Sequence, residues 1–152
     1  FQQGSTRGLG KIQFHDYNIA YNSKPLPNVK RFQKQIKIFK QMLMLAGPNP
    51  EQVKDIDFLL IVGELFSLVV YGQLILENAL DLDDDLLGQI FDVMIRDFSK
   101  FALQLYSKTS STSRQRFFCR RMIQKPVTDT ARYQRIWEHH IAPLSGKYVM
   151  SP

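Results

Sequence analysis

Several residue types that would point to a particular chemistry are scarce in this 152-residue chain. It contains one cysteine and three histidines. A single cysteine excludes an internal disulfide framework, and with no secretory or transit pattern at the start we predict a cytoplasmic protein. Two of the histidines, His139 and His140, are adjacent, so on a helix they point about 100° apart and cannot share a metal. We therefore expect no metal site.

Signatures of nucleotide binding and of nucleophilic catalysis are missing as well. The glycine-rich stretch GSTRGLGK, residues 4–11, fails as a P-loop because Ser5 stands where a glycine is required and Ile12 follows Lys11. Cys119 lies between arginines that would lower the pKa of a thiol. With no histidine within sequence reach, we interpret it as a bystander rather than a nucleophile.

Acidic residues are rare at both ends of the chain. Residues 1–46 carry eight Lys/Arg against one acid, residues 100–152 carry ten against two, and residues 47–99 carry eleven acids against two bases, for a net charge of +6. Such a pattern indicates either contact with a polyanion or helices of opposite charge packed side by side. No RNA-binding, zinc-knuckle or basic-zipper signature accompanies the charge, so we favour packing and do not expect a nucleic-acid partner.

One long apolar run, FLLIVGELFSLVVYGQLIL at residues 58–76, has the length of a membrane-spanning helix. Glu64 near its middle would be costly in lipid, and neither end shows the Lys/Arg bias that orients a spanning helix. We therefore predict no membrane span and a buried central helix of a soluble bundle. Its polar residues Glu64, Tyr71, Gln73 and Glu77 are then expected to fix helix register through hydrogen bonds.

Other segments show apolar residues at spacings of three and four, which is typical of amphipathic helices. The pattern predicts helices over residues 29–46, 50–78, 86–105 and 113–124, with Asn28 as the first N-cap. A fifth helix follows Thr128 or Asp129 and ends before Pro143. Its inward side is predicted to carry Tyr133, Ile136, Trp137, His140 and Ile141. We predict an all-α antiparallel bundle of about four to five helices at residues 29–152, preceded by an irregular N-terminal segment at residues 1–28.

Four strings carry a family resemblance. They are ELFSLVVYGQLILENA at 64–79, RDFSKFALQLYSKTSST at 96–112, MIQKP at 122–126 and PLSGKYVMSP at 143–152. In this order they resemble the C-terminal helical region of the larger bacterial FAD-dependent acyl-CoA dehydrogenases. These flavoprotein oxidoreductases of fatty acid metabolism oxidise acyl-CoA thioesters to enoyl-CoA. The resemblance implies a C-terminal domain, present as a fragment or a split subunit. It would pack on flavin-binding domains and on a partner subunit in a homo- or hetero-oligomer.

The resemblance also gives the N-terminal segment a possible role. The family places its catalytic glutamate in a Tyr-Glu-Gly-Thr loop, whose following residues touch FAD or the acyl thioester. In this chain Gly4 matches the glycine, and Ser5 or Thr6 matches the hydroxyl residue, which implies cofactor contact at these three positions. The base position then falls on Gln3 or, with an offset of one residue, on Gln2.

A glutamine at the base position changes the expected activity. The base removes a proton from the carbon alpha to the thioester, and a neutral amide cannot accept it as a carboxylate does. Either this is not the base loop, or the base lies elsewhere, or the chain is a non-catalytic member. We expect the chain alone to be inactive. The alternative hypothesis is a non-enzymatic helical module that uses its basic segments to bind nucleic acid or an acidic protein.

Overall fold

A computed structural model describes residues 16–79 and 82–147 of the chain. Within these ranges there are six α-helices and no strand, which confirms the predicted all-α bundle. The helices are α1 Tyr17–Ser23, α2 Pro27–Leu45, α3 Ile56–Glu77, α4 Asp84–Ser107, α5 Ser113–Met122 and α6 Arg132–Ile136. A π-helical turn, Trp137–Ile141, continues α6, and 3-10 turns lie at Gln52–Lys54 and Ala142–Leu144.

The centre of the bundle is α4. It packs against α2, α3, α5 and α6. The main contacts of α3 are with α4, with α1 and with the 3-10 turn that precedes it. Helix α5 fills the groove between α2 and α4, and α1 lies against α3 and α2. The central position that the apolar run was expected to hold therefore belongs to α4.

The core consists of the faces that the three-four spacing predicted on α2 and α4. Phe32 and Phe98 are fully buried, and their rings meet edge to face with centroids 5.5 Å apart. Phe91 packs on Phe32 at 5.7 Å, and Tyr21 of α1 packs on Phe32 at 6.0 Å. Such aromatic pairs add to the free energy gained by burying their apolar area. This cluster joins α1, α2 and α4 into one core.

Side-chain caps mark where α3, α4 and α5 begin. Asp55 accepts a hydrogen bond from the Phe58 amide, Asp83 from the Leu86 amide, and Thr112 from the Gln115 amide. Each satisfies a backbone N–H that would otherwise lack a partner in the first turn. The acidic residue Asp83 thus caps α4. The 3-10 turn and its separate cap move the start of α3 to Ile56, later than predicted.

The predicted N-cap role of Asn28 is wrong. Helix α2 begins at Pro27, and Leu26 occupies the cap. Proline is tolerated at the first helical position because the N–H that it lacks would have no partner within the helix there. The Asn28 side chain is buried one position further along. It donates to the Gly88 carbonyl at 3.1 Å and accepts from the Val127 amide at 2.7 Å. Asn28 therefore ties the segment after α5 to α2 and α4.

Two further elements differ from expectation. The N-terminal segment expected to be irregular contains α1, which Asp16 caps through the Asn18 amide. The inward side predicted for the last helix is also wrong, because Tyr133 and Trp137 are 67% and 44% exposed. The residue that faces inward is Arg132, whose guanidinium donates to the Gly88 carbonyl at 3.2 Å.

Candidate functional site: the outer face of α3

The most apolar helix of the chain is also the least covered. Only Phe58, Leu65, Gly72 and Leu76 are buried on α3, in one narrow stripe. In the most apolar 18-residue window of this helix, 17% of the residues are buried. The prediction of a buried central helix is therefore wrong, since α3 lies at the edge of the bundle with α4 and α1 on one side only.

Large apolar side chains cover the opposite side of α3, which we call the outer face. Their exposed fractions run from 40% to 73%. The set comprises Ile56, Leu59, Leu60, Tyr71 and Leu74. Monomeric soluble proteins rarely leave so continuous an apolar surface uncovered, and such surfaces mark contacts with another protein or with lipid. The outer face of α3 is our candidate functional site.

Small residues occupy the middle of the outer face. At 100° per residue, Gly63 and Ser67 fall on the line opposite the buried stripe, with Ile56 and Leu74 on the same line toward the two ends. A β-carbon built on Gly63 meets no atom within 4 Å. A shallow groove of about 380 Å³ runs here between Ile56 and Ser67. Small side chains at this point let another backbone approach α3 closely.

The polar side chains of α3 do not fix helix register as predicted. Glu64 and Tyr71 are exposed on the outer face, and Gln73 donates to the Glu77 carboxylate at 2.7 Å along the same helix. Glu64 lies in the middle of the face. A bilayer span would leave this carboxylate in lipid, which is costly. Among the described helices, α3 is the one whose length and composition fit a membrane span. The position of Glu64 favours a contact with protein instead.

The absence of a side chain at Gly72 lets α3 pack closely against the bundle. A β-carbon at this position would overlap the Tyr21 hydroxyl and lie 3.1 Å from Met94 Cε and 3.2 Å from Phe32 Cε1. The Tyr21 hydroxyl itself donates to the Val69 carbonyl of α3 at 2.9 Å. Burial raises the pKa of Tyr21, so the hydroxyl stays protonated as this donor. The contact of α3 with α1 therefore depends on glycine at position 72.

A second uncovered apolar surface lies on α6 and the turns after it. Tyr133 and Trp137 stack with ring centroids 6.3 Å apart. Ile141 and Leu144 continue the surface and are 42% and 44% exposed. Sequence reasoning assigned these aromatic residues to the core because three-four spacing identifies an apolar stripe without saying whether anything in the same chain covers it.

The exposed side of α2 and α5 is basic. Nine exposed Lys/Arg lie on these helices and the residues directly after α5, with no acid among residues 27–45 or 113–125. They are Lys30, Arg31, Lys34, Lys37, Lys40, Arg114, Arg120, Arg121 and Lys125. The two helices run antiparallel in contact, since Gln35 donates to the Met122 carbonyl and Arg31 to the Lys125 carbonyl. The basic segments flanking the acidic one thus form a single surface.

A cluster of charges joins α6 to the start of α4. Arg135 donates to Asp85 through two hydrogen bonds of 2.6 and 2.7 Å and to Asp129 at 2.6 Å. These bonds lower the pKa of both carboxyls below the ordinary aspartate value. Asp83 also has a lowered pKa, first because it accepts from the Leu86 amide and then because His140 bonds to it. The groups are well exposed, so water screens these interactions.

Replacing Arg135 by glutamine is expected to change how stability depends on pH. Lowered carboxyl pKa values stabilise the folded state above the unfolded aspartate pKa of about 3.9, and this stabilisation is lost as pH falls through the folded-state values. Urea midpoints should therefore be lower for Arg135→Gln than for the wild type at pH 7. The difference should stay constant to about pH 5 and shrink below about pH 4.

Arg114→Gln is the matched control for this comparison. Arg114 is exposed on α5 and forms no ion pair with a described residue, so its replacement should leave the pH profile unchanged. An Arg135→Gln difference that persists undiminished at pH 3 would show that Asp85 and Asp129 are not its cause.

Cys119 is not activated. Its side chain is buried and its pKa is raised by that burial to about 11, although arginines flank it in sequence. Cys119 Sγ lies 3.9 Å from Met42 Sδ. The arginines at 120 and 121 point to solvent, so they do not lower the thiol pKa. The interpretation of Cys119 as a bystander agrees with this environment.

The residues assigned by family resemblance cannot be placed. The base candidates Gln2 and Gln3, and the cofactor candidates Gly4, Ser5 and Thr6, lie outside residues 16–79 and 82–147. Among the residues that are described, no group of three His, Cys, Asp or Glu side chains is arranged to hold a metal. His139 and His140 lie on the π-helical turn, where His140 bonds to Asp83.

Comparison with known proteins adds no relative. The chain matches no family model, no curated protein and no solved structure.

Proposed function

We propose that this chain is a helical docking part of a larger assembly, namely the C-terminal helical part, as fragment or split subunit, of an FAD-dependent acyl-CoA dehydrogenase. The observation that carries the docking role is the uncovered outer face of α3. An apolar face of this size is costly in water at about 25 cal/mol per Å², so it is expected to be covered in the working protein. The four family-like strings support the identity of that assembly.

The arrangement of the bundle is consistent with such a role. The family resemblance implies two contacts, one with flavin-binding domains and one with a partner subunit. The described part of the chain has two separate apolar surfaces, on α3 and at Tyr133 and Trp137. Between them α4 provides a rigid core of buried aromatic rings. In this proposal the chain supplies shape and contact area, and the chemistry belongs to the complete assembly.

FAD and the acyl-CoA substrate are assigned to flavin-binding domains or to another subunit, as the family resemblance implies. No reaction step is assigned to a described residue of this chain.

Purification of the tagged chain from its source cells tests this proposal. We expect it to bring down a chain that carries FAD, seen by flavin absorbance and mass spectrometry, and to show acyl-CoA-dependent reduction of a dye. The isolated 152-residue chain should show neither. Absence of flavin from every complex of the chain would refute the dehydrogenase identity.

The second candidate function is the non-enzymatic binding module, which the basic surface of α2 and α5 favours. Nine exposed cations without an acid among them would bind several phosphates. The same purification separates the two candidates. Nucleic acid in place of flavin, with retention that falls steeply as salt rises, would favour the binding module.

A further inference from the structure

We infer that the outer face of α3 is a self-association surface that pairs antiparallel with α3 of a second copy of this chain. The inference rests on the proposed docking function and names the occupant of that surface. Two properties of the face support it, namely its central small residues and the placement of two polar side chains. Its area sets the expected affinity.

The first property is close approach at the midpoint. Helix α3 has 22 residues, so its midpoint lies near residue 67 and its length is about 33 Å. Ser67 is at that midpoint and Gly63 is one turn away, both on the outward line. Two-fold pairing about this point brings the small residues of both copies together. Flanking apolar side chains, among them Leu60 and Leu74, then pack on either side of the crossing.

The second property is self-complementarity. At 100° per residue, Glu64 and Tyr71 lie on the same flank of the outer face, equally far from a point between residues 67 and 68. A two-fold axis perpendicular to the helix places like flanks together in an antiparallel pair. Each Glu64 carboxylate then lies beside the Tyr71 hydroxyl of the second copy, which can donate to it. The arrangement supplies a partner for the Glu64 carboxylate, which forms no hydrogen bond or ion pair with the residues that the structure describes.

The remaining acids of α3 do not oppose this pairing. Asp57 and Glu77 lie on opposite flanks of the outer face, so antiparallel association does not bring them together. Asp57 lies 3.8 Å from Lys108 of the same chain, and Glu77 accepts from Gln73. Parallel association would instead bring unlike flanks together at the same level, so Glu64 would lie about 10 Å along the axis from Tyr71 of the second copy. The Glu64–Tyr71 contact therefore favours the antiparallel orientation.

The area of the face sets the expected affinity. A strip about 33 Å long and about 10–12 Å wide covers roughly 330–400 Å² on each copy. Stable complexes bury about 800 Å² per partner. From the area of α3 alone we therefore expect a weak, reversible dimer whose population rises with concentration. Contacts between adjoining domains would add to the stability of the dimer.

Sedimentation equilibrium of the full 152-residue chain at about 1–200 μM tests the inference. The wild type should show a monomer–dimer equilibrium. Gly63→Leu should weaken dimerisation at least tenfold, because leucine blocks the close approach at the centre. Its side chain enters open space within the monomer, so the fold should be retained. Gln41→Leu adds the same side chain to an exposed position of α2 and should leave dimerisation unchanged.

Engineered cysteines test the orientation. Under mild oxidation Ser67→Cys should form a disulfide-linked dimer. Ile56→Cys should not, because antiparallel pairing separates the two copies of residue 56 by roughly 35 Å. Cross-linking through Ile56→Cys would show parallel pairing and overturn the proposed geometry. A double-mutant cycle of Glu64→Leu and Tyr71→Phe should show coupling between the two positions, and additive effects would contradict their contact.

The remaining outcomes separate this inference from the proposed function. A chain that stays monomeric at 200 μM without a Ser67→Cys cross-link overturns self-association, even if a flavin-carrying partner is found. Binding to phosphatidylcholine vesicles that Gly63→Leu does not change would overturn it in favour of lipid. A dimer with the expected variant behaviour but no flavin partner supports the inference and refutes the dehydrogenase identity.

Discussion

Phe32→Ala is expected to lower the free energy of unfolding by about 3–5 kcal/mol. Phe32 is fully buried, and its ring meets those of Phe91, Phe98 and Tyr21. Alanine would remove the ring that joins α1, α2 and α4 and leave a cavity that the packed helices cannot fill. Chemical denaturation followed by circular dichroism measures the loss. A typical stability of about 5–15 kcal/mol would fall to roughly 0–12 kcal/mol, so a wild type at the lower end of this range would become partly unfolded.

Phe117→Ala is the control for this prediction. Phe117 is also a helical phenylalanine but is 55% exposed on α5, so its truncation should change stability by no more than about 0.5 kcal/mol. Equal losses for the two variants would mean that the aromatic cluster around Phe32 is not the core of the fold.

Gly72→Ala is expected to destabilise the protein by about 2–3 kcal/mol. Adding the methyl group displaces the Tyr21 hydroxyl from the Val69 carbonyl and crowds Met94. Overpacking costs about 1–3 kcal/mol and an unpaired buried donor a similar amount, while alanine regains about 1 kcal/mol of helix propensity. Urea denaturation at low protein concentration measures the difference without a contribution from association.

Gly63→Ala is a matched control on the same helix. The new β-carbon enters open space, so only the helix propensity changes and the monomer should become more stable by up to about 1 kcal/mol. The two substitutions are chemically identical and are expected to have opposite signs. If both stabilised the protein, the docking of α3 on α1 through Gly72 would be incorrect.

The faces of α2 and α4 could be predicted from sequence because each is amphipathic. Polar residues mark their outer sides, so the three-four spacing of Phe32, Ile36 and Phe39 identifies the buried stripe without ambiguity. The N-cap of α4 was equally predictable, since acids before an apolar stripe satisfy the first-turn amides. These local rules agree with the tertiary packing, and the all-α bundle is confirmed.

The placement of α3 was not predictable in the same way. A helix that is apolar all round is assigned to the core, because periodicity carries no information about which neighbours exist. The available signal was weak. Gly63, Glu64, Ser67 and Tyr71 cluster on one side, opposite the stripe that begins at Phe58. Small and polar residues gathered on one side of an apolar helix indicate a contact made outside the bundle. The sequence-based prediction was instead that the polar residues fix the helix register through hydrogen bonds.

Buried polar residues were missed for a related reason. Gln35 donates to the Met122 carbonyl, and Gln52 and Gln115 bond to each other and to the loop carbonyls around them. The partners in these bonds are far away in sequence, so no local pattern predicts the contacts. The base and cofactor-contact site at residues 2–6 is implied by the family resemblance alone. That site lies outside the described ranges and stays a prediction.

The most direct measurement for the account as a whole is the reactivity of a thiol placed on the outer face of α3. Ser67→Cys should react with a maleimide in the dilute isolated chain and be protected in the assembly purified from cells. Gln41→Cys on exposed α2 provides the accessible reference, and native Cys119 is buried. Equal labelling of Ser67→Cys and Gln41→Cys in the assembly would contradict the claim that this face is covered in the working protein.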